Sequence, residues 1–200
     1  MNYLAHIYLS ENRPKVTIGN FIADGNGIRG KSYQKFDKDI QVGILLHRQI
    51  DTFTDAHPTV RQSTKRLHKN YGHYSGIIID IFYDHFLAKN WTSYSDVPLN
   101  EYANAFYNLL EEHVDDLPKY TQHILPYMKK GNWLVSYASI KGIESVLKGM
   151  DKRTKNQSQM YLSITELETH YKEFESEFTS FFEELRQFSH TKLNTIINNI

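Results

Sequence analysis

SGIIIDIFYDHFLAKNW, residues 75 to 91, is the most apolar stretch of this 200-residue chain. Residues 77 to 83 within it form the only run with β-like character in the sequence. A short apolar run suits a buried strand and a buried helix equally well, so length and flanks must arbitrate. Here the apolar pattern continues to Ala88, longer than the ~4–8 residues of an ordinary buried strand, and it reads as a helix. With no other strand candidate, the fold class is all-α: a single-domain helical bundle over residues 1–200.

Working outward, every neighbouring segment carries helical periodicity. Residues 16–24, VTIGNFIAD, read as a brief helix that ends in the glycine-rich loop GNGIRG. A helix is expected over about 38–56, and Pro58 is placed to start another that runs to Gly72. Periodic segments follow at about 99–113, 118–130 and 132–150. The last long helix is expected from the capping-box pattern Thr165 to Glu168 through about residue 190. Its Leu167, Tyr171, Phe174, Phe178, Phe181, Phe182 and Leu185 form one apolar stripe. The tail KLNTIINNI is expected to fray.

Composition excludes several classes of function. Lys plus Arg and Asp plus Glu balance at 23 each, so there is no broad basic footprint for nucleic acid or anionic lipid. Any docking patch must be local. With no cysteine, disulfides, thiolate metal sites and cysteine nucleophiles are out. No run approaches the ~18–20 apolar residues of a membrane span, and the N-terminus lacks the basic start of a signal peptide. A cytoplasmic protein is the expectation; the sequence is silent on oligomeric state.

The chemistry lies in HRQIDTFTDAHP, residues 47 to 58. Turning about 100° per residue from His47, Ile40, Ile44 and Ile50 fall within about 60°, and Asp51 within about 40°. His47 and Asp51 thus share the core-facing side, and Asp55 drifts outward. Asp80 and Asp84, also four apart, sit in the helix that is apolar nearly all round, with His85 next to Asp84. Inward carboxylates need cations or protons, since an unpaired buried charge costs several kcal/mol. Buried Asp–Arg pairs or satisfied core histidines would answer this, but no arginine or lysine lies on the inner face of either helix. Histidine and aspartate are ligands for a divalent ion, with Asp24 and His6 offering more of the same. Oxygen-rich ligation with some imidazole suits manganese, magnesium or iron, and such ions serve phosphoester hydrolysis.

MNYLAHIYLS, GNFIAD, GILLHRQIDTFTDAHP and DIFYDHFLAKNW, followed by NWLVSYASIKGIESVLKGM, resemble the acyl carrier protein phosphodiesterase family. Those are all-helical enzymes related to HD-domain metal phosphohydrolases. The resemblance implies removal of the 4′-phosphopantetheine arm from the serine of holo-acyl carrier protein, with a divalent cation, typically manganese. It places the family's motifs on Asp24; on His47, Arg48, Asp51 and Asp55; and on Asp80, Asp84 and His85. The expected metal ligands are drawn from Asp24, His47, Asp51, Asp80 and Asp84. Asp24, His47, Asp51 and His85 are the expected catalytic residues, and His85, His57 and His6 are the candidates to protonate the leaving serine.

A docking surface for the carrier's acidic helix is expected on the helix after Pro58, where Arg61, Lys65, Arg66 and Lys69 cluster. Arg29 and Lys31, by the glycine loop, are expected to contact phosphate oxygens, and Arg48 is expected to bind substrate. Two other functions fit the same pattern: an HD-like nucleotide or cyclic-nucleotide phosphohydrolase, and a non-catalytic helical binding protein.

Overall fold

The computed structural model describes residues 1–24 and 26–200, and among these every regular element is helical. Tyr3–Tyr8 (α1) and Pro14–Ile22 (α2) come first, then Lys38–Ala56 (α3), Pro58–Tyr71 (α4) and Ser75–Lys89 (α5). Leu99–Glu112 (α6), Lys119–Gly131 (α7), Trp133–Ser136 (α8) and Ile140–Arg153 (α9) follow. Ile164–Thr169 (α10) and Tyr171–Asn199 (α11) close the chain.

α5 is the central helix. Residues 81 to 88 are all buried, so this part of the helix presents no solvent face, as a segment that is apolar all round must, while Gly76 and Ile77 of the first turn are exposed. α11 lies across α3, α4 and α5. Its stripe Phe174, Phe178, Phe181, Phe182 and Leu185 is fully buried, each side chain worth roughly 1.5–3 kcal/mol of transfer free energy. Phe178 meets Tyr83 edge to face with ring centroids 5.6 Å apart and stacks on Phe182 at 5.0 Å.

Helix ends follow local chemistry. Asp37 accepts from the Asp39 amide at 3.0 Å to start α3. Pro58 is the first residue of α4, where a missing N–H costs nothing. Three expectations are corrected. The segment from 132 to 150 is two helices, and Ser139 caps the second through the Gly142 amide at 3.1 Å. The final helix does not open at Thr165, which lies inside α10; His170, at φ −113° and ψ 31°, breaks the chain before α11 begins. The tail does not fray. α11 continues to Asn199 because Leu193 is buried and Ile196 packs on the core.

One crossing positions the site. α2 and α3 meet at Gly19 and Gly43, where a Cβ on Gly19 would stand 2.1 Å from the Ile40 carbonyl oxygen. One on Gly43 would stand 2.1 Å from the Val16 carbonyl oxygen. Only glycine lets two helix backbones touch this closely. Asn20 of α2 is thereby brought within reach of His47, one turn beyond Gly43.

Candidate metal centre

The position of α1 is fixed from α5. Asn2 provides no side-chain cap for α1; instead Asp84, wholly buried, accepts from the Leu4 amide at 2.7 Å and the Ala5 amide at 3.2 Å. A carboxylate there satisfies first-turn N–H groups and meets the positive end of the helix. α1, so held, delivers His6 against His47. The two imidazoles stack with centroids 4.0 Å apart and planes 23° from parallel.

Asn20 fixes both rings. His6 Nδ1 lies 2.8 Å from Asn20 Oδ1, and His47 Nδ1 lies 2.9 Å from the Asn20 main-chain carbonyl oxygen. The Asn20 amide nitrogen donates to the His6 carbonyl and to Ser10 Oγ, so its oxygen must be the atom facing His6. Carbonyl oxygens only accept. Each histidine therefore donates Nδ1–H to an Asn20 oxygen and turns Nε2 away from it.

Those Nε2 atoms converge on a carboxylate. His6 Nε2 lies 3.2 Å from Asp51 Oδ1, and His47 Nε2 lies 3.1 Å from Asp51 Oδ2. Burial, then the neighbouring His47, push the His6 pKa down to about 4, so this ring is neutral near pH 7. His6 Nε2 is buried with no hydrogen-bond partner. The lone pair of neutral His6 and the ionised carboxylate repel one another unless a cation lies between them. The ligand atoms of His6, His47 and Asp51 all fall within 4.8 Å of one another, the one such group among the described residues. The donor set fits a divalent ion, and the Nδ1–H bonds to Asn20 are the outer partners that metal-ligating histidines characteristically have.

His47 and Asp51 border a cavity of about 310 Å³ whose walls also include Asp24, Asp55 and Asp80, with His6 buried behind them. The sequence offered no cation for Asp80; the structure supplies one, the Met1 ammonium, which donates to Asp80 Oδ1 at 2.9 Å. Burial opposes the ammonium's charge, but Asp80 and Asp51 more than offset it and raise its pKa. Burial also raises the Asp80 carboxyl pKa.

Of the expected ligands, Asp24, His47, Asp51 and Asp80 therefore share one cavity. Asp84 does not line it. Its oxygens are spent on α1, and burial lifts its carboxyl pKa to about 7. His85 is also turned away: Nδ1 bonds the Tyr137 carbonyl and Nε2 the Tyr171 hydroxyl, both at 2.7 Å. His57 is a helix cap, accepting from the Thr59 amide and facing Glu184. Of the three candidate proton donors only His6 stands at the centre, and its geometry is that of a ligand.

The cations divide similarly. Arg48 donates to the Gly30 and Ile28 carbonyls and braces the glycine loop. Arg66 turns inward to a bidentate pair with Glu177 of α11. The docking stripe is thus reduced to Arg61, Lys65 and Lys69, all exposed, as is Arg29. Arg61 also donates to the Asp55 carbonyl at 3.2 Å, tying the stripe to the end of α3.

Sequence reasoning missed Asn20 as the residue that orients both imidazoles, although it lies within the GNFIAD block. No periodicity argument identifies it, because its partners are 14 and 27 residues away.

Comparison with known proteins gives this geometry a context. The family model described as acyl carrier protein phosphodiesterase matches residues 1–185. The chain belongs to the acyl carrier protein phosphodiesterase family. A relative named acyl carrier protein phosphodiesterase from Photorhabdus laumondii is 33% identical over 186 residues, 91% of each chain. One of the same name from Pectobacterium atrosepticum is 30% identical over 193 residues, covering 96% of this chain and 99% of its own. Another, from Escherichia coli, is 32% identical over 183 residues, 91% of this chain and 94% of its own. No solved structure matches the chain. The matched region of the family model contains every residue of the centre.

Among the described residues, no helix is long and apolar enough to cross a membrane.

Proposed function

We propose that this protein is a divalent-metal-dependent phosphodiesterase that hydrolyses the 4′-phosphopantetheine arm from the serine of holo-acyl carrier protein. The products are the apo-carrier protein and the phosphorylated arm. The observation that carries this reading is the convergence of the His6 and His47 Nε2 atoms on Asp51, in a chain that matches relatives bearing that name over more than nine-tenths of their length. His6, His47 and Asp51 would hold the ion, with Asp24 and Asp80 nearby in the same cavity. Two imidazoles and a carboxylate, with further carboxylates nearby, suit manganese, with magnesium or iron(II) as the other candidates. When bound, such an ion supplies positive charge to the phosphoryl oxygens and activates a water at neutral pH.

The chain's own residues do the rest. Asn20 holds both imidazoles in the ligating tautomer. Asp84 holds α1, and with it His6, in register. Arg61, Lys65 and Lys69 give an acidic helix of the carrier protein a cationic face, and Arg29 stands exposed by the glycine loop beside Asp24.

The deciding experiment is incubation with holo-acyl carrier protein and manganese, followed by intact mass. Loss of the arm's mass, abolished by chelator and restored by manganese, supports the reading. Turnover of small nucleotides or cyclic nucleotides with an untouched carrier would transfer the protein to the phosphohydrolase alternative. No turnover, with thermal stability indifferent to manganese, would favour a non-catalytic binding protein.

A further inference from the structure

A second cavity, of about 580 Å³, adjoins the metal-type cavity between the start of α1 and the face of α8 and α9. The two share Asn2, Asp24 and Met150 in their walls, so they meet at a common junction. Their chemistry differs sharply. The smaller is walled by carboxylates, whereas the larger is walled by Trp133, Tyr137, Val146 and Met150. Gly149 of α9 faces open space there, with no atom within 4 Å of where its Cβ would stand. Polar groups are spaced around it: the Asn2 amide, held at 3.0 Å to the Tyr137 hydroxyl, the hydroxyls of Ser136, Ser139 and Ser145, and the charged Asp24, Lys141 and Arg153. A mostly apolar cavity of ~300–1,000 Å³ with a few fixed polar groups is suited to an organic chain, not an ion.

We infer that this second cavity binds the pantetheine portion of the substrate, the arm that departs with the phosphate. The inference rests on the phosphodiesterase reading above and names which side of the phosphodiester enters the protein. A phosphodiester on a carrier has two unlike sides. One ester oxygen belongs to a serine on a folded protein, which must stay outside. The other leads into a slim chain of a gem-dimethyl group, a hydroxyl, two amides and a thiol. With phosphorus at the imidazole–carboxylate cavity, only the slim side can pass the Asn2–Asp24–Met150 junction. There the gem-dimethyl and methylene groups lie against Trp133, Val146 and Met150, and the amides meet Asn2 and the serine hydroxyls. Water adds to phosphorus as the bond to the serine oxygen breaks, that oxygen takes a proton, and the arm leaves this cavity as a phosphomonoester.

The test uses pantetheine itself, without phosphate, titrated calorimetrically into metal-free protein. Wild type is expected to bind it saturably. Gly149→Phe, and independently Ser145→Phe one turn earlier on the same wall, are expected to weaken that binding about tenfold or more. The same variants should raise KM for holo-acyl carrier protein. Melting curves establish that each variant is folded, and the second plug replaces the first if Gly149→Phe is not. No saturable binding to wild type, or unchanged affinity in a folded plugged variant, overturns the inference. Preferential binding of a free fatty acid, lost on plugging, would assign the cavity to an acyl chain and overturn it equally. If wild type binds pantetheine but removes no arm from the holo-carrier with manganese, the phosphodiesterase reading is what has failed. Pantetheine binding requires neither metal nor turnover, so the two failures are told apart.

Discussion

Asn20→Ala is the sharpest probe of the centre, because Asn20 touches no cavity and ligates nothing, yet is fully buried behind both imidazoles. The substitution deletes hydrogen bonds to His6 Nδ1, the His6 carbonyl and Ser10 Oγ. The last two still pair with each other through Ser10 Oγ to the His6 carbonyl at 2.9 Å, but His6 Nδ1–H is orphaned. Two ordinary bonds at about 0.5–1.5 kcal/mol each and one orphaned donor at about 1–3 give a destabilisation of roughly 2–6 kcal/mol. A domain of ordinary stability, about 5–15 kcal/mol, survives that at 25 °C. His47 keeps its bond to the Asn20 main-chain carbonyl, so only one imidazole loses its orientation. Loss of an outer partner typically weakens metal affinity by about 10–100-fold. At manganese a thousandfold above the wild-type Kd, metal-dependent stabilisation should therefore fall from about 4.1 kcal/mol to about 1.4–2.7 kcal/mol. Chemical denaturation with and without manganese measures both quantities. A variant destabilised as computed but still gaining the full wild-type stabilisation from manganese would refute the assignment of Asn20 as the residue that orients the ligands.

Asp51→Asn and Asp24→Asn keep shape and remove charge, so each should lower turnover of the holo-carrier by at least ~10²-fold, while Asp115→Asn, on an exposed turn, should leave it unchanged; equal losses at all three would indicate general destabilisation. Gly43→Ala forces a Cβ to 2.1 Å from the Val16 carbonyl and should cost at least about 1–3 kcal/mol, whereas Gly149→Ala enters open space and should gain about 0.5–1 kcal/mol; both are read by urea denaturation. In metal-free protein, unfolded His6 takes a proton near pH 6.5 that the folded ring refuses until about 4, so its contribution is present above 6.5 and lost as pH falls to about 4, roughly 3 kcal/mol in all. Asp84 runs the opposite way, its contribution lost as pH rises from about 4 to about 7, so the His6 effect is measured as the wild-type slope minus that of His6→Gln; no difference between the slopes counts against a neutral His6. Arg61→Glu with Lys65→Glu should raise KM for the carrier through slower association, and salt should mimic it as the Debye length falls from ~10 Å at 0.1 M to ~3 Å at 1 M; a KM indifferent to both makes the stripe ordinary surface.

The sequence by itself determined the fold class, the helix that lies at the centre, and the inward faces of α3 and α5, because those depend on periodicity within one segment. The length of residues 75 to 91 excluded a strand, and the 100° turn from His47 placed Asp51 beside it. Periodicity states which way a side chain points, not what it meets. Asp80 and Asp84 point inward alike, yet Asp80 reaches the cavity while Asp84 caps α1, a difference set by the docking of α1 from 80 residues away. Arg48 and Arg66 read as free cations until the loop carbonyls and Glu177 come alongside. His6 and His47 lie 41 positions apart and meet because Asp84 docks α1 and because Gly19 and Gly43 let α2 and α3 touch, which sets Asn20 behind both rings. A ligand set drawn from two helices and oriented by a third is a property of their crossing. Only the tertiary structure decided it.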